Sequence, residues 1–223
     1  MPGKYSAVLF SGGLDSAVLF ADAQRHGGVA RAFYISVGFA WEMEEIAMAT
    51  RLFARPPFTG TFDILRFDMR DVFPPSHWAV RGEPPAFDTP DEDVYLPGRN
   101  VILLSKAAVY TVTAAKEFAL LLGSLAGNPF PDATPEFFAA MSRALSLGLD
   151  ARISISAPFA TLHKADVIRR GIDLGVPLEL TLSCMQPTDG LHCAQCSKCR
   201  ERRDAFREAG VDDPTKYRRT PIR

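Results

Sequence analysis

The stretch AVLFSGGLDSAVLFADA, residues 7–23, decides the fold. An apolar run ends at Phe10, the chain passes through Ser11-Gly12-Gly13, and a second apolar run begins beyond Asp15. That order reads as a buried strand, a glycine turn and a helix. A strand that feeds straight into a helix leaves backbone N–H groups at the helix start without intrahelical partners. Together with the macrodipole they form an anion site. Gly12 and Gly13 allow backbone angles closed to other residues and let a ligand approach the main chain. Ser11 and Ser16 add hydroxyl donors. Asp15 brings a negative charge to a place where an anion would sit, so it reads as a brace for the loop or a holder of magnesium.

The same alternation continues downstream. Tyr5–Phe10, Ala30–Val37, Thr61–Phe67, Phe118–Leu122 and Arg152–Ala157 read as strands. Helices are expected over Ser16–His26, ended by Gly27-Gly28, and over Trp41–Ala54, Val101–Glu117, Pro135–Gly148, His163–Leu174 and Cys199–Ala209. Glu42, Glu44 and Glu45 lie in the first turns of the second helix, where acidic groups complement the dipole. Strands alternating with helices at this spacing predict an α/β fold: a doubly wound, mainly parallel five-stranded sheet covered on both faces. Residues 73–100, rich in proline and acid, are too long for an ordinary connection and are expected to form a lid or part of a site. Asn100 is expected to cap the helix that follows. Trp41 and Trp78 read as packing residues, and Asp91–Val94 as a solvated acidic turn.

Composition narrows the function classes. The chain has 223 residues, 47% of them hydrophobic, enough for one large domain and its core. A net charge of −1 gives no global field for nucleic acid, although the C-terminal tail is locally cationic. No apolar stretch reaches the length of a membrane span, and MPGKYSAV lacks the layout of a secretion signal. A cytoplasmic protein with no membrane and no nucleic-acid partner is therefore expected. The four cysteines fall together, as Cys184-x8-Cys193-x2-Cys196-x2-Cys199. Two overlapping C-x-x-C steps aim three thiolates at one point and Cys184 completes a tetrahedral set, which favours a single structural Zn2+. A C-x2-C-x2-C spacing also serves iron–sulfur clusters. The chain is expected to divide into an α/β nucleotide domain, residues 1–182, and a four-cysteine zinc module with its tail, residues 183–223.

Neither G-x-x-x-x-G-K-[ST] nor G-x-G-x-x-G is present. SGGLDS instead resembles the pyrophosphate loop of the N-type ATP pyrophosphatases, which split ATP between its α and β phosphates. APFATLHKADV, with Lys164 at a helix start, is similar to the second element of that superfamily, whose lysine neutralises phosphate charge. LPGRNVILLSKAAVYT, PFPDATPEFF and SCMQPTDGLHCAQCSKCRERRDAFREAGVDDPTKY extend the likeness over most of the chain. Together they resemble the 7-cyano-7-deazaguanine synthase family of queuosine biosynthesis. The resemblance implies an adenine nucleotide α-hydrolase-like fold and an ATP-dependent ligase, with ATP held by Phe10, Ser11, Gly12, Gly13, Leu14, Asp15, Ser16 and Lys164. It implies ATP with Mg2+, ammonia and 7-carboxy-7-deazaguanine as reactants, and a homodimer. Arg99 is either a fork for phosphate or carboxylate or part of a capping turn. Asp132 either accepts hydrogen bonds from a guanine-like edge or caps the helix near Pro135. The chain departs from the family pattern at Val37–Glu44, at Phe130–Thr134 and at Leu182. Each departure removes a polar or aromatic group that could hold a purine-like ring. A divergent relative acting on another carboxylate, a tRNA-modifying relative, and a nucleotide-binding module without catalysis are the alternatives. The absence of a cysteine outside the cluster weighs against sulfur transfer to tRNA.

Overall fold

The computed structural model describes residues 5–27 and 30–219. Gly28, the expected second half of the first helix stop, the N-terminal MPGK and the last four residues of the cationic tail lie outside the described residues.

Five strands form one sheet: β1 (Tyr5–Leu9), β2 (Ala30–Ser36), β3 (Thr61–Arg66), β4 (Glu117–Leu121) and β5 (Arg152–Ser156). Their order is β3-β2-β1-β4-β5 and every pairing is parallel. The connections run outward from β1 in both directions, so the order reverses between β1 and β4. In open α/β sheets ligands bind outside the strand ends at such a switch point. The central strand is buried on both faces, with Ala7 and Val8 fully enclosed, which explains its unbroken apolar run. At the β5 edge the residues alternate, Ile153 and Ile155 inward, Arg152, Ser154 and Ser156 outward.

Among the described residues there are seven α-helices: α1 (Leu14–Arg25), α2 (Glu42–Phe53), α3 (Trp78–Arg81), α4 (Arg99–Thr111), α5 (Pro135–Leu149), α6 (Lys164–Asp173) and α7 (Ser197–Ala209). One apolar layer gathers Phe10, Phe20, Leu52, Val167, Ile168 and Phe206 under α1, α2, α6 and α7. The other gathers Phe33, Leu104, Phe118, Leu120 and Phe138 under α4 and α5. Phe10 sits at the hub of the first, edge-on to Phe20, Phe53, Phe58 and Phe62 at 5.5–5.8 Å. Ala107 and Ala108 are fully buried, as the alanine content of α4 leads one to expect of a closely packed helix.

Several boundaries differ from expectation, each for a local reason. Helix α1 begins at Leu14 with Gly13 as its N-cap, because the Ser16 hydroxyl folds back onto the Gly13 carbonyl at 3.0 Å. Helix α4 ends at Thr111, six residues early. Three consecutive β-branched residues, Thr111, Val112 and Thr113, disfavour its continuation, and the Thr113 hydroxyl donates to the Tyr110 carbonyl at 2.7 Å. Asn100 is not the cap: left-handed Gly98 (φ 78°) precedes the helix and Asn100 lies in its first turn. Helix α7 starts at Ser197, so Cys199 lies within its first turn. The 73–100 segment carries α3 and a 3-10 turn over Asp91–Val94, whose Val94 is buried while Glu92 and Asp93 face solvent.

Candidate active site and metal centre

A cavity of about 280 Å3 opens at the C-terminal ends of β1, β2 and β4, at the switch point. The β1–α1 junction forms one wall through Ser11, Gly13, Asp15 and Ser16. Arg99 and Asn100 enter from the start of α4, Val94 to Leu96 from the long segment before it, and Phe130 and Asp132 from the turn before α5. The end of the 73–100 segment, from Val94 to Asn100, therefore lines the cavity.

Hydrogen bonds fix the glycine loop. The Gly13 N–H donates to Ser11 Oγ at 3.2 Å, and the Ser11 and Ser16 hydroxyls meet at 3.2 Å. No side chain caps α1, so its first-turn N–H groups are free of the usual competitor for an anion. Gly12 has φ 78°, and a Cβ there would come within 2.7 Å of the Ala49 Cβ on α2. Glycine is thus required twice, by angle and by space. The Gly12 carbonyl accepts from Leu182 N–H at 2.9 Å, tying the loop to the chain that leads into the cysteines. Gly123, beyond β4, comes so close to the Asp15–Ser16 backbone that a Cβ would sit 3.1 Å from it. The sequence reading did not single out Gly123. Phe10 and Leu14 bury their side chains in the core, 0% and 2% exposed, and offer the loop only main chain.

Lys164 reaches the loop through Asp15. Its Nζ lies 3.3 Å from Asp15 Oδ2 and hydrogen-bonds Glu201 of α7 on its other side, while Lys198 holds Glu201 at 2.8 Å. Burial alone would lower the Lys164 pKa, but the Asp15 and Glu201 carboxylates override it and hold the ammonium above its usual range. Burial pushes the Asp15 carboxyl up against the opposing pull of Lys164. Asp15 Oδ1 is buried with no hydrogen-bond partner among the described residues. Such an oxygen suits a hard cation.

Arg99 also presents a buried Nε without a partner among the described residues. An unsatisfied guanidinium nitrogen at a cavity wall is an open half of a fork for phosphate or carboxylate. Asp132 lines the cavity and does not cap the helix at Pro135. Its Oδ2 accepts from the Asn100 N–H at 3.2 Å, and its carbonyl accepts from Asn100 Nδ2 at 3.0 Å. It therefore steadies the start of α4 from a distant segment, while Thr134 caps α5 through Phe137 N–H at 3.1 Å. Behind the cavity wall, the Tyr34 hydroxyl donates to Glu45 at 2.6 Å. Burial raises the Glu45 pKa to about 7, against the opposing pull of Arg99 and the Tyr34 hydrogen bond.

The departures from the family pattern occupy definite places. Trp41 stacks on Trp78 at 5.5 Å with 12° between planes, and Phe39 packs beside Trp41, so both tryptophans are packing residues. Glu42 braces the same turn, accepting from Ser36 Oγ, Val37 N–H and Gly38 N–H at 2.7–2.9 Å. Phe130 stacks on Tyr95 at 5.3 Å on the cavity wall. Leu182 packs with the cysteines.

Cys184, Cys193, Cys196 and Cys199 are all buried, with their sulfurs within 4.8 Å of one another. Cys196 and Cys193 stand 3.5 and 3.9 Å from Cys199. Zn–S bonds of about 2.3 Å place tetrahedral sulfurs about 3.8 Å apart, so the set fits zinc. Backbone N–H groups of Gln186, Cys193 and Gln195 point at Cys184 and Cys193 sulfurs at 3.2–3.3 Å, which stabilises thiolates. His192 stays outside the set, its Nε2 accepting from the Ser183 N–H at 3.2 Å. A residue that sequence reasoning missed secures the module. Arg202, 1% exposed, bonds Thr215, Thr181, Ser183 and the Leu178 carbonyl at 2.5–3.2 Å, and lies over the Phe206 ring. One arginine among four within residues 200–207 carries no signal of burial.

Among the described residues no helix is long and apolar enough to cross a membrane. The solved structure of NMN synthetase from Francisella tularensis shares the fold, with TM-score 0.52 at 15% identity over 95% of this chain and 79% of that one. The 7-cyano-7-deazaguanine synthase of Geobacter sp. (strain M21) is 34% identical over 97% of this chain and 99% of its own. That of Methanoculleus marisnigri is 35% identical over 97% and 100%. The family model described as Queuosine biosynthesis protein QueC matches residues 5–210, from the first strand through the cysteine module. With the glycine loop, the long site-forming segment and the four thiols all inside that match, the chain belongs to the QueC family of queuosine biosynthesis proteins.

Proposed function

We propose that this chain is a 7-cyano-7-deazaguanine synthase: an ATP-dependent enzyme that converts 7-carboxy-7-deazaguanine and ammonia to the nitrile. The observation that carries the reading is the joining of the glycine loop, Arg99 and Asp132 around one cavity in a chain that matches the family over residues 5–210. The carboxylate oxygen attacks the α-phosphorus of ATP, pyrophosphate leaves, and an acyl adenylate forms. Ammonia adds to the acyl carbon, AMP departs with the former carboxylate oxygen, and a proton is lost to give the amide. A second ATP activates the amide oxygen in the same way. Loss of AMP and of the remaining N–H protons gives the nitrile.

The main-chain N–H groups at the start of α1 bind the departing diphosphate, and Lys164 adds positive charge from behind the loop. Preorganised donors of this kind stabilise charge where it develops. Mg2+ carried with ATP would supply further charge on the phosphate oxygens, and Asp15 is the residue placed to hold it. Arg99 orients the substrate carboxylate or the α-phosphate through its open Nε edge. No side-chain nucleophile takes part. Cys184, Cys193, Cys196 and Cys199 would hold a structural zinc, which would keep the cysteine module in shape against the nucleotide domain and supply no chemistry.

Incubation with ATP, ammonium and 7-carboxy-7-deazaguanine tests the reading, with AMP, pyrophosphate and nitrile followed by mass spectrometry. All three products support it. ATP cleaved to AMP without nitrile assigns the chain a different carboxylate. Binding of ATP without cleavage, with every candidate substrate, removes catalysis altogether.

A further inference from the structure

The charges beneath the glycine loop form a ladder from two modules. Lys198 and Glu201 come from α7, Lys164 from α6 and Asp15 from α1, joined in the order Lys198–Glu201–Lys164–Asp15. Lys164, Asp15 and Glu201 are 17%, 24% and 28% exposed, so water screens them only in part. In this arrangement the Lys164 ammonium is already engaged by Asp15, the loop residue whose other oxygen is buried without a partner.

A lysine held by the loop's own aspartate offers little charge to an incoming phosphate. For Lys164 to serve the diphosphate it must exchange Asp15 for the ligand without losing its place. Glu201 is the contact that stays. It grips the ammonium from the side away from Asp15, and its own second oxygen is fixed by Lys198. We propose that Glu201 is a positioning residue for ATP cleavage: it anchors Lys164 so that the ammonium can pass from Asp15 to the departing diphosphate. Neutralising Glu201 leaves Asp15 as the remaining carboxylate partner of Lys164 in this ladder, and the ammonium closes onto it. The effect falls on the step in which diphosphate charge develops, hence on kcat more than on KM. This inference rests on the proposed ATP-cleaving function.

The test is a double-mutant cycle on Glu201→Gln and Lys164→Met in the full chain. It reads AMP release and the equilibrium affinity for the magnesium complex of α,β-methylene-ATP, with zinc content and thermal midpoint measured alongside. The expected result is about a tenfold fall in kcat for Glu201→Gln with KM for ATP changed less than threefold. In the Lys164→Met background Glu201→Gln should cost less than twofold, because its effect acts through the lysine. Glu201→Asp, which keeps the charge, should restore most of the rate. Equal losses in both backgrounds, no loss in either, or a Glu201→Asp variant as impaired as Glu201→Gln would overturn the proposal. If the wild-type protein binds the analogue and releases AMP, such a result leaves the ATP-cleaving function standing. If the wild-type protein does neither, that function falls and the role of Glu201 falls with it.

Discussion

Gly12 shows how much one residue without a side chain decides. Its left-handed angle and the 2.7 Å approach to Ala49 leave no room for Cβ, so Gly12→Ala must push α2 away from the loop or distort the loop itself. The expected cost is about 3 kcal/mol of stability, read by denaturant unfolding, with ATP affinity lost in the protein that still folds. Glu45 carries the clearest pH signature. Its pKa is raised from 4.5 to about 7, first by burial. The folded protein therefore holds a proton that the unfolded chain has released, and stability falls as pH rises from 4.5 through 7. Glu45→Gln should flatten that slope, gaining roughly 3 kcal/mol over wild type between pH 4.5 and pH 8. Unfolding curves at several pH values check it, and a parallel shift of both proteins would refute it. The sequence revealed the chemistry of such residues unevenly. Ser-Gly-Gly in its strand-to-helix context is a local pattern, and so it can be read. The contact of Asp132 with Asn100 spans 32 positions, and the closeness of Gly123 to the loop exists only after β4 docks on β1. Neither leaves a mark in its own neighbourhood.

At the level of elements, periodicity and turn residues located every strand and all the longer helices. The errors fell at helix ends, where side chains compete with the backbone. Helix α4 stops at the β-branched run and is capped from another segment, and no window of its own sequence contains that information. Helix α7 illustrates the same limit. Its polar face reads as solvated, yet Arg202 is enclosed by Thr181, Ser183, Thr215 and the Leu178 carbonyl. Replacing it by Met keeps the length and removes the donors, so those oxygens lose their partner in a dry setting. The expected loss is about 3 kcal/mol, larger than for Arg203→Met next to it. Equal losses at the two positions would show that the network contributes nothing beyond packing.

For the whole molecule, the all-parallel order β3-β2-β1-β4-β5 brings the starts of α1 and α4 to one opening, and the cysteine module locks in behind it. The cysteine spacing was legible because four ligands in a short stretch close on themselves. The attachment of that module through Arg202, Leu182 and Glu201 was not, since each acts across the fold. The purified protein should carry a single zinc per chain, with thiols inert to alkylation until the metal is removed by chelator, and its thermal midpoint should then fall. Iron in the site, or thiols that alkylate in the loaded protein, would contradict the zinc assignment. The central claim is that the loop of the first β–α junction directs attack of a carboxylate on the α-phosphorus of ATP. Its most direct test uses 7-carboxy-7-deazaguanine labelled with 18O in both carboxylate oxygens, with products weighed by mass spectrometry. The account predicts two AMP molecules for each nitrile, each bearing one 18O. Label released into water or inorganic phosphate, or ADP as the nucleotide product, would contradict it.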